Sequence, residues 1–89
     1  MKVLIVEDEI MAQKSLIRVL SQNFPDMDIV GTTSSVKSTV SWLKDPANTV
    51  DIIFMDVELS DGICFEIFRQ AEVKAKVIMT TAYDSYALK

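Results

Sequence analysis

The 89-residue sequence has no histidine and only one cysteine, Cys64. Without histidine, the chain can supply neither histidine ligands for zinc nor a Ser-His-Asp triad, and it cannot carry a phosphohistidine. A single cysteine cannot form an internal disulfide. Together with the lack of a signal-peptide pattern, this predicts a protein of the reducing cytoplasm. No apolar run approaches the ~20 residues that a membrane-spanning helix requires.

Positive charge is also scarce. Nine lysines and arginines stand against 13 aspartates and glutamates, which gives a formal net charge of −4. Because phosphate contacts need lysine and arginine, we do not expect this domain itself to bind nucleic acid. The length predicts one small domain, which can bury a core but only with modest net stability.

Short apolar runs that stop at polar residues are the main feature of the sequence. Residues 52–55 are all apolar, Asp56 follows them directly, and a loop carrying Gly62 comes next. The runs 3–6 and 77–79 also end in polar residues. Such short runs, rich in β-branched residues, are typical of parallel strands that are covered on both faces.

Helical patterns separate these runs. We predict strands at 2–6, 27–30, 50–55 and 75–80, helices at 9–22 and 63–71, another helix from an N-cap among Thr33, Ser34 and Ser35 to about Lys44, and the start of a fourth helix at Tyr83. Gly31 is expected to permit the turn after the second strand. Helices that alternate with strands in this order predict an α/β fold with a parallel sheet and right-handed crossovers.

The spacing of apolar residues also predicts which helix positions face the core. These positions are Ala12, Leu16, Val19 and Leu20 in the first helix, Val36, Val40 and Leu43 in the second, and Ile63, Cys64, Ile67, Phe68 and Ala71 in the third. Trp42 is expected at the edge of its helix's apolar stripe, half-buried. Cys64, as a core cysteine, is expected to be inert.

Three carboxylates are predicted to meet at one edge of the sheet. Glu7 and Asp8 follow the first strand, and Asp56 ends the third. Because the carboxyl ends of parallel strands share an edge, where ligands of open α/β sheets bind, these acids should lie together. Their mutual repulsion would be relieved by a divalent cation, and oxygen ligands of this kind are those that Mg²⁺ prefers. The alternative is three solvated loop acids.

With a cation present, Asp56 gains a second candidate role. A carboxylate can act as a nucleophile and form an aspartyl phosphate, provided that the phosphoryl group is positioned in line and its charge is neutralised. The hydroxyl of Thr81, at the end of the fourth strand, could donate a hydrogen bond to a phosphoryl oxygen. Thr80 is the competing choice, and Thr81 could instead cap the following helix.

Three stretches carry a resemblance to a known family. Residues 3–9 (VLIVEDE), 53–62 (IFMDVELSDG) and 79–84 (MTTAYD) together resemble the receiver domain of bacterial two-component response regulators. The last two stretches most resemble receivers joined to a LytTR-type (LytR/AlgR-like) DNA-binding domain. The resemblance covers the whole chain. It implies a flavodoxin-like, CheY-like doubly wound sheet, of which this chain would supply the order 2-1-3-4 without the fifth strand.

The resemblance implies a role for each matching residue. Asp56 matches the phosphoacceptor, and Asp8 matches the main Mg²⁺ carboxylate. Glu7 matches the neighbouring acid, and Glu58 matches the position whose backbone carbonyl binds the metal. Thr81 matches the switch hydroxyl. The phosphoryl donor would be a phosphohistidine on a sensor histidine kinase.

One departure from the family pattern concerns a lysine. Receivers have a fifth strand that ends in a Lys-Pro pair, followed by a fifth helix, and this chain ends at Lys89 before both. The resemblance therefore implies a receiver domain at 1–89 that is incomplete at its C-terminus and lacks the catalytic lysine. A LytTR-type output domain is expected beyond it.

Two surfaces are candidates for partner binding. Ile10, Lys14 and Ile17 are expected on the outward side of the first helix, where they could dock a kinase; scattered surface residues are the alternative. The fourth strand would expose an apolar edge, and such edges recruit other strands. We therefore expect a homodimer, a swapped dimer or aggregation through the fourth strand and the fourth helix. Tyr83 and Tyr86 begin that helix, and packing of their rings on the sheet is the alternative to a role in association.

Three functions fit these features. The first is a phosphorylation-controlled signalling module that switches between two packings and controls transcription through its output domain. The second is a phosphatase with an aspartate nucleophile, in which Glu58 would be the second acid, although that nucleophile would normally end the first strand. The third is a degenerate receiver that only mediates protein contacts. We expect the first, which is not an enzyme beyond its own phosphorylation and dephosphorylation.

Overall fold

The computed structural model describes residues 1–80 and shows a four-stranded parallel sheet with helices between its strands. The elements are β1 (Lys2–Val6), α1 (Ile10–Asn23), β2 (Asp28–Thr33), α2 (Val36–Lys44), β3 (Ile52–Asp56), β4 (Glu58–Leu59), β5 (Gly62–Ile63), α3 (Phe65–Gln70) and β6 (Lys76–Thr80). The main sheet has the order β2-β1-β3-β6. This confirms the predicted 2-1-3-4 order, with β6 as the predicted fourth strand. No helix within residues 1–80 has the length and apolar character needed to cross a membrane.

The sheet is built around β1 and β3, its two central strands. Residues 3–6 of β1 are fully buried, as are Ile53 and Met55 of β3. Alternate residues of each strand enter separate core clusters on the two faces of the sheet. Their apolar runs therefore have the composition expected of strands that are covered on both sides.

Strand β2 departs from the prediction because it runs through Gly31 instead of ending before it. The indole of Trp42 packs onto this point, and a Cβ atom on Gly31 would lie 2.8 Å from its Nε1. The pairing with β1 shifts register between Val3 and Leu4. Gly31 thus makes room for an aromatic ring from α2 and is not a turn residue. Trp42 is half-buried, as predicted.

Helix α1 ends at Asn23, ahead of Pro25, close to its predicted end. Its inward side is carried by Leu20, which is buried, and by Leu16 and Ile17, which pack against the cluster around Phe54. Val19, which was predicted to face the core, is instead 50% exposed. Helical spacing locates a stripe but not its edges, and Ile17 takes the place that was assigned to Val19.

Helix α2 begins with a reciprocal cap at Ser35, one of its three predicted candidates. The backbone N–H of Ser38 donates to Ser35 Oγ over 3.0 Å, and the backbone N–H of Ser35 donates to Ser38 Oγ over 3.1 Å. The helix also receives the carboxylate of Asp61, whose oxygens accept from the backbone N–H groups of Val36 and Lys37. This second cap was not predicted from the sequence.

Helix α3 is shorter than predicted, because a small hairpin of β4 and β5 takes up its expected first residues. Ile63 lies in that hairpin and is exposed, and Phe68 is exposed as well, so both predicted core assignments are wrong. Cys64 and Ile67 are fully buried, as predicted, and Ala71 packs against the same cluster. The apolar stripe by which α3 covers the sheet is therefore narrower than predicted and consists of Cys64, Ile67 and Ala71.

Candidate functional site

The predicted carboxylates meet at the carboxyl edge of the sheet. Val6 of β1 pairs with Met55 of β3, so Glu7 and Asp56 follow them on adjacent strands at the same height. Oxygen atoms of Glu7, Asp8 and Asp56 lie within 4.8 Å of one another. The sequence alone placed these three residues together because buried parallel strands leave little freedom in where their ends lie.

The three acids line a small pocket at this edge. The pocket has a volume of about 250 Å³, and its lining consists of Glu7, Asp8, Glu9, Ala12, Asp56, Glu58 and Leu59. Glu58, which was predicted to contribute its backbone carbonyl, is the first residue of β4 and has an exposed side chain. The loop after Asp56 therefore returns to the same pocket.

Glu7 is fixed through several groups. Its backbone N–H donates to the carbonyl oxygen of Thr33 on β2 over 2.9 Å, and its own carbonyl oxygen accepts from Gln13 Nε2 over 2.6 Å. Its carboxylate accepts from the backbone N–H of Glu9 over 3.1 Å. The first carboxylate of the pocket is thus held by contacts to β2 and α1.

The electrostatics of the pocket are reflected in the titration of Glu7. Burial is the largest cause that raises the pKa of Glu7, the hydrogen bond from Glu9 opposes it, and the neighbouring carboxyls of Asp56 and Asp8 add to the rise; together they bring the pKa from 4.5 to about 7. Ionising this carboxyl group beside two other acids costs free energy, and a bound cation would stabilise the ionised cluster. The all-oxygen donor set fits Mg²⁺.

The predicted phosphoryl-binding hydroxyl falls at the limit of the described chain. Thr80, the competing choice, is half-buried at the end of β6 and stands in register with Asp56. Thr81 lies outside the described residues, as do Tyr83, Tyr86 and Lys89. The switch assignment to Thr81 therefore stays a prediction.

Two lysines of the sheet lie at the edge opposite the pocket. Lys2 begins β1, with its Nζ donating to Thr49 Oγ1 over 2.7 Å, and Lys76 begins β6. Both are at the amino ends of their strands. Neither is placed to meet a group bound at Asp56.

The candidate docking residues on α1 do not share one surface. Ile10 is 64% exposed and Lys14 is exposed, so both lie outward as predicted. Ile17 is half-buried against the core cluster around Phe54, which corrects its predicted outward position. Helix α1 therefore offers Ile10 and Lys14 next to the pocket, and Ile17 serves packing.

Cys64 lies in the core close to the pocket. Its Sγ is 3.5 Å from Met79 Sδ, and its side chain is fully buried. Burial raises the pKa of the Cys64 thiol, and the charge of Asp56 raises it further. The core position of Cys64 confirms the prediction, and its inertness stays a prediction, since a buried thiol with a raised pKa forms little thiolate.

Sequence reasoning missed two residues that support the site. Gln13 reaches back from α1 to Glu7, and Asp61 joins the loop after Asp56 to α2. Gln13 gave a weak signal, since it is a polar residue next to Ala12 on the inward side of the first helical turn. Asp61 gave none, because its partner lies 25 positions away in the chain.

A doubly wound parallel sheet with three acids at the carboxyl ends of β1 and β3 defines the class of the molecule as a receiver-like α/β domain. The family model described as "Response regulator receiver domain" matches residues 3–89, and the chain belongs to this family. This family assignment favours a receiver domain over a phosphatase with an aspartate nucleophile.

Three relatives illustrate the similarity. Sensory transduction protein LytT of Bacillus anthracis is 34% identical over 92 residues, and transcriptional regulatory protein YpdB of Escherichia coli K12 is 33% identical over 92 residues. A chain in the crystal structure of the CheX–CheY–BeF₃–Mg²⁺ complex from Borrelia burgdorferi superposes with a TM-score of 0.75 at 26% identity, covering 98% of this chain and 66% of that one.

The match to the curated relatives covers only part of their length. It includes 100% of this chain but 36% of LytT and 36% of YpdB. The shared region is thus the receiver domain.

Proposed function

We propose that this receiver domain accepts a phosphoryl group on Asp56 at a Mg²⁺-binding site and thereby controls an output. The observation that carries the proposal is the cluster of oxygen atoms from Glu7, Asp8 and Asp56 within 4.8 Å at the carboxyl edge of the sheet. The similar chain from Borrelia burgdorferi belongs to a complex with BeF₃ and Mg²⁺, which supports the same choice of metal.

The proposed metal ligands are the carboxylates of Asp8, Asp56 and Glu7, with the backbone carbonyl of Glu58. All four residues line one pocket. When bound, Mg²⁺ supplies neutralisation of the negative charge on the phosphoryl oxygens. The raised pKa of Glu7 supports this assignment, because it reflects a cluster whose full ionisation is unfavourable without a cation.

Asp56 has the position that a nucleophile needs. It is the last residue of β3 and is half-buried, so its backbone is held by the sheet while its side chain reaches the pocket. In the proposed transfer, an oxygen of the Asp56 carboxylate forms a bond to phosphorus as the phosphorus–nitrogen bond of a phosphohistidine breaks. The imidazole leaves with the bonding electron pair and takes up a proton from solvent. Thr81 would then donate its hydroxyl hydrogen to a phosphoryl oxygen.

The proposed donor is a sensor histidine kinase, consistent with the absence of histidine from this chain. Ile10 and Lys14, exposed on the first turns of α1 beside the pocket, are the proposed docking residues, with Ile17 supporting them from the core side. Because the proposed donor would present its phosphohistidine in the cytoplasm, the proposal also locates this receiver domain in the cytoplasm.

The proposed output is control of transcription through a LytTR-type DNA-binding domain that lies outside these 89 residues. The name of YpdB as a transcriptional regulatory protein supports this output. The net charge of −4 supports assigning DNA contacts to another domain, since phosphate contacts require positive charge.

Self-association through the outer edge of β6 is part of the proposal. Within residues 1–80, β6 is the last strand of the order β2-β1-β3-β6, and Ile78 and Met79 are 43% and 42% exposed. A second copy could pair with this edge or exchange the strand.

The proposal is tested by intact-mass spectrometry after incubation with acetyl phosphate, with Mg²⁺ or with EDTA. The unchanged chain should gain one phosphoryl group only when Mg²⁺ is present, and Asp56→Asn should gain none. Asp26→Asn, a change to an exposed acid at the opposite end of the sheet, should behave like the unchanged chain.

Two other results of this experiment would contradict the proposal. An adduct that forms on Asp56→Asn would place the phosphoacceptor elsewhere. No adduct on a chain that circular dichroism shows to be folded would contradict phosphorylation of this receiver domain as it stands.

A further inference from the structure

Gln13 connects α1 to the loop that carries two of the three acids. Its side-chain Nε2 donates to the carbonyl oxygen of Glu7 over 2.6 Å, across six positions of sequence. Gln13 is half-buried, and its neighbour Ala12 lines the acidic pocket. The amide therefore contacts the backbone of a pocket residue from a half-buried position on α1.

The loop between β1 and α1 needs support of this kind. It holds Glu7 and Asp8 beside Asp56, and three neighbouring carboxylates repel one another. Contact with β2 fixes only the N–H side of Glu7, through the carbonyl oxygen of Thr33. On the carbonyl side, where the chain leaves Glu7 towards Asp8, the contact is the amide of Gln13.

The first turn of α1 holds Gln13 in place. The backbone N–H of Gln13 donates to the carbonyl oxygen of Glu9 over 3.0 Å, and the N–H of Glu9 donates to the carboxylate of Glu7. The contacts thus form a closed set among Glu7, Glu9 and Gln13. The side-chain amide of Gln13 holds the backbone carbonyl of Glu7, and the backbone N–H of Glu9 holds the carboxylate of Glu7.

We propose that Gln13 is a positioning residue for Mg²⁺ binding, which holds the carbonyl of Glu7 so that the Glu7 and Asp8 carboxylates stay beside Asp56. The inference rests on the proposed function of the same site. When a group that contacts and orients a metal ligand, without touching the metal itself, is removed, metal affinity typically falls 10–100-fold. We expect an effect of about tenfold here, because Glu7 keeps its contacts to Thr33 and Glu9.

The test compares Mg²⁺ affinities by NMR titration of the 89-residue chain and four variants. Gln13→Met keeps the length of the side chain but removes its N–H donors, and Gln13→Asn keeps the amide but shortens its reach by one methylene. Gln13→Arg offers N–H donors again. Gln22→Met makes the same chemical change at an exposed position near the end of the same helix and is the matched control.

We expect Gln13→Met and Gln13→Asn to bind Mg²⁺ about tenfold more weakly than Gln22→Met. Gln13→Arg should recover most of the lost affinity. Circular dichroism checks that each variant is folded, and Gln13→Asn serves if Gln13→Met is not.

Two results would overturn the inference. If Gln13→Met and Gln13→Asn bind Mg²⁺ as tightly as Gln22→Met, Gln13 does not position the site, and the proposed function stands. If the unchanged chain binds no Mg²⁺ at all, the proposed function fails and the role of Gln13 fails with it.

Discussion

The carboxylate of Asp61 accepts a 2.6 Å hydrogen bond from the backbone N–H of Val36, although the two residues lie 25 positions apart. Its second oxygen accepts from the backbone N–H of Lys37 over 3.0 Å. The first N–H groups of a helix have no partner within the helix, and the helix dipole favours negative charge there. The loop that begins at Asp56 is therefore attached to the start of α2.

Replacing Asp61 should destabilise the chain. Asp61→Ala removes both acceptors and should lower the thermal midpoint at pH 7, and Asp61→Asn, which keeps one acceptor, should lower it less. Asp26→Ala, at an exposed acid near the end of α1, is the control and should leave the midpoint nearly unchanged.

The effect of Asp61 should depend on pH in one direction. The hydrogen bonds from Val36 and Lys37 hold the pKa of Asp61 below its ordinary value of 3.8. A lowered pKa in the folded state stabilises the fold above pH 3.8, and this stabilisation is lost as the pH falls through the folded-state pKa. The difference in midpoint between the unchanged chain and Asp61→Ala should thus shrink on acidification below that value. A difference that grows instead would contradict the assignment.

Glu7 should have the opposite effect on stability. Burial raises its pKa to about 7 from 4.5, so between these values the folded state binds more protons than the unfolded state. Stability therefore falls as the pH rises through this window. In EDTA at pH 8, Glu7→Gln should melt at a higher temperature than the unchanged chain, and the two should converge at pH 4. Glu72→Gln, at an exposed acid, is the control; an equal gain there would show a general charge effect.

Adding one methyl group at Gly31 should disturb the packing of α2 on β2. A Cβ atom there would lie 2.8 Å from Nε1 of Trp42 and 3.2 Å from its Cε2, so the indole would have to move. Overpacking of this kind costs about 1–3 kcal/mol. Urea denaturation of Gly31→Ala should show such a loss, and the loss should be smaller in a Trp42→Leu background. Equal losses in the two backgrounds would place the strain elsewhere.

The outer edge of β6 should make the chain associate as its concentration rises. Ile78 is 43% exposed on this strand, and a charged residue at an edge opposes pairing with another strand. Size-exclusion chromatography of the unchanged chain should show a larger species at higher concentration, and Ile78→Lys should reduce it. Ile10→Lys, which changes an exposed residue on α1, should not. A monomer at every concentration would rule out association through β6.

The sequence was sufficient to predict the features that depend on strand periodicity. The bounds of β1 and the meeting of Glu7 with Asp56 follow from short apolar runs that stop at acids, whereas the order of the sheet was implied only by the family resemblance. A buried parallel strand has few alternative positions, so its last residue is well determined. This is why the acidic site was predictable although no single acid identifies it.

Features that depend on contacts between distant elements were not predictable. Helical spacing alone could not show that Ile17 packs inward while Val19 is exposed, because the covering surface determines the edges of a stripe. The extension of β2 through Gly31 depends on a ring from α2, and the cap on α2 depends on Asp61. In each of these contacts, the two residues belong to different elements, and only the tertiary fold brings them together.

Trp42 gives the chain an optical probe for a particular layer. It is the single tryptophan of the sequence, it packs against Gly31 on β2, and it is not among the residues that line the acidic pocket. Its emission therefore reports how α2 lies on the sheet and does not sense a bound ion directly. A change in emission when Mg²⁺ is added would mean that the second helix responds to events at the pocket, and constant emission would mean that the helix is insulated from them.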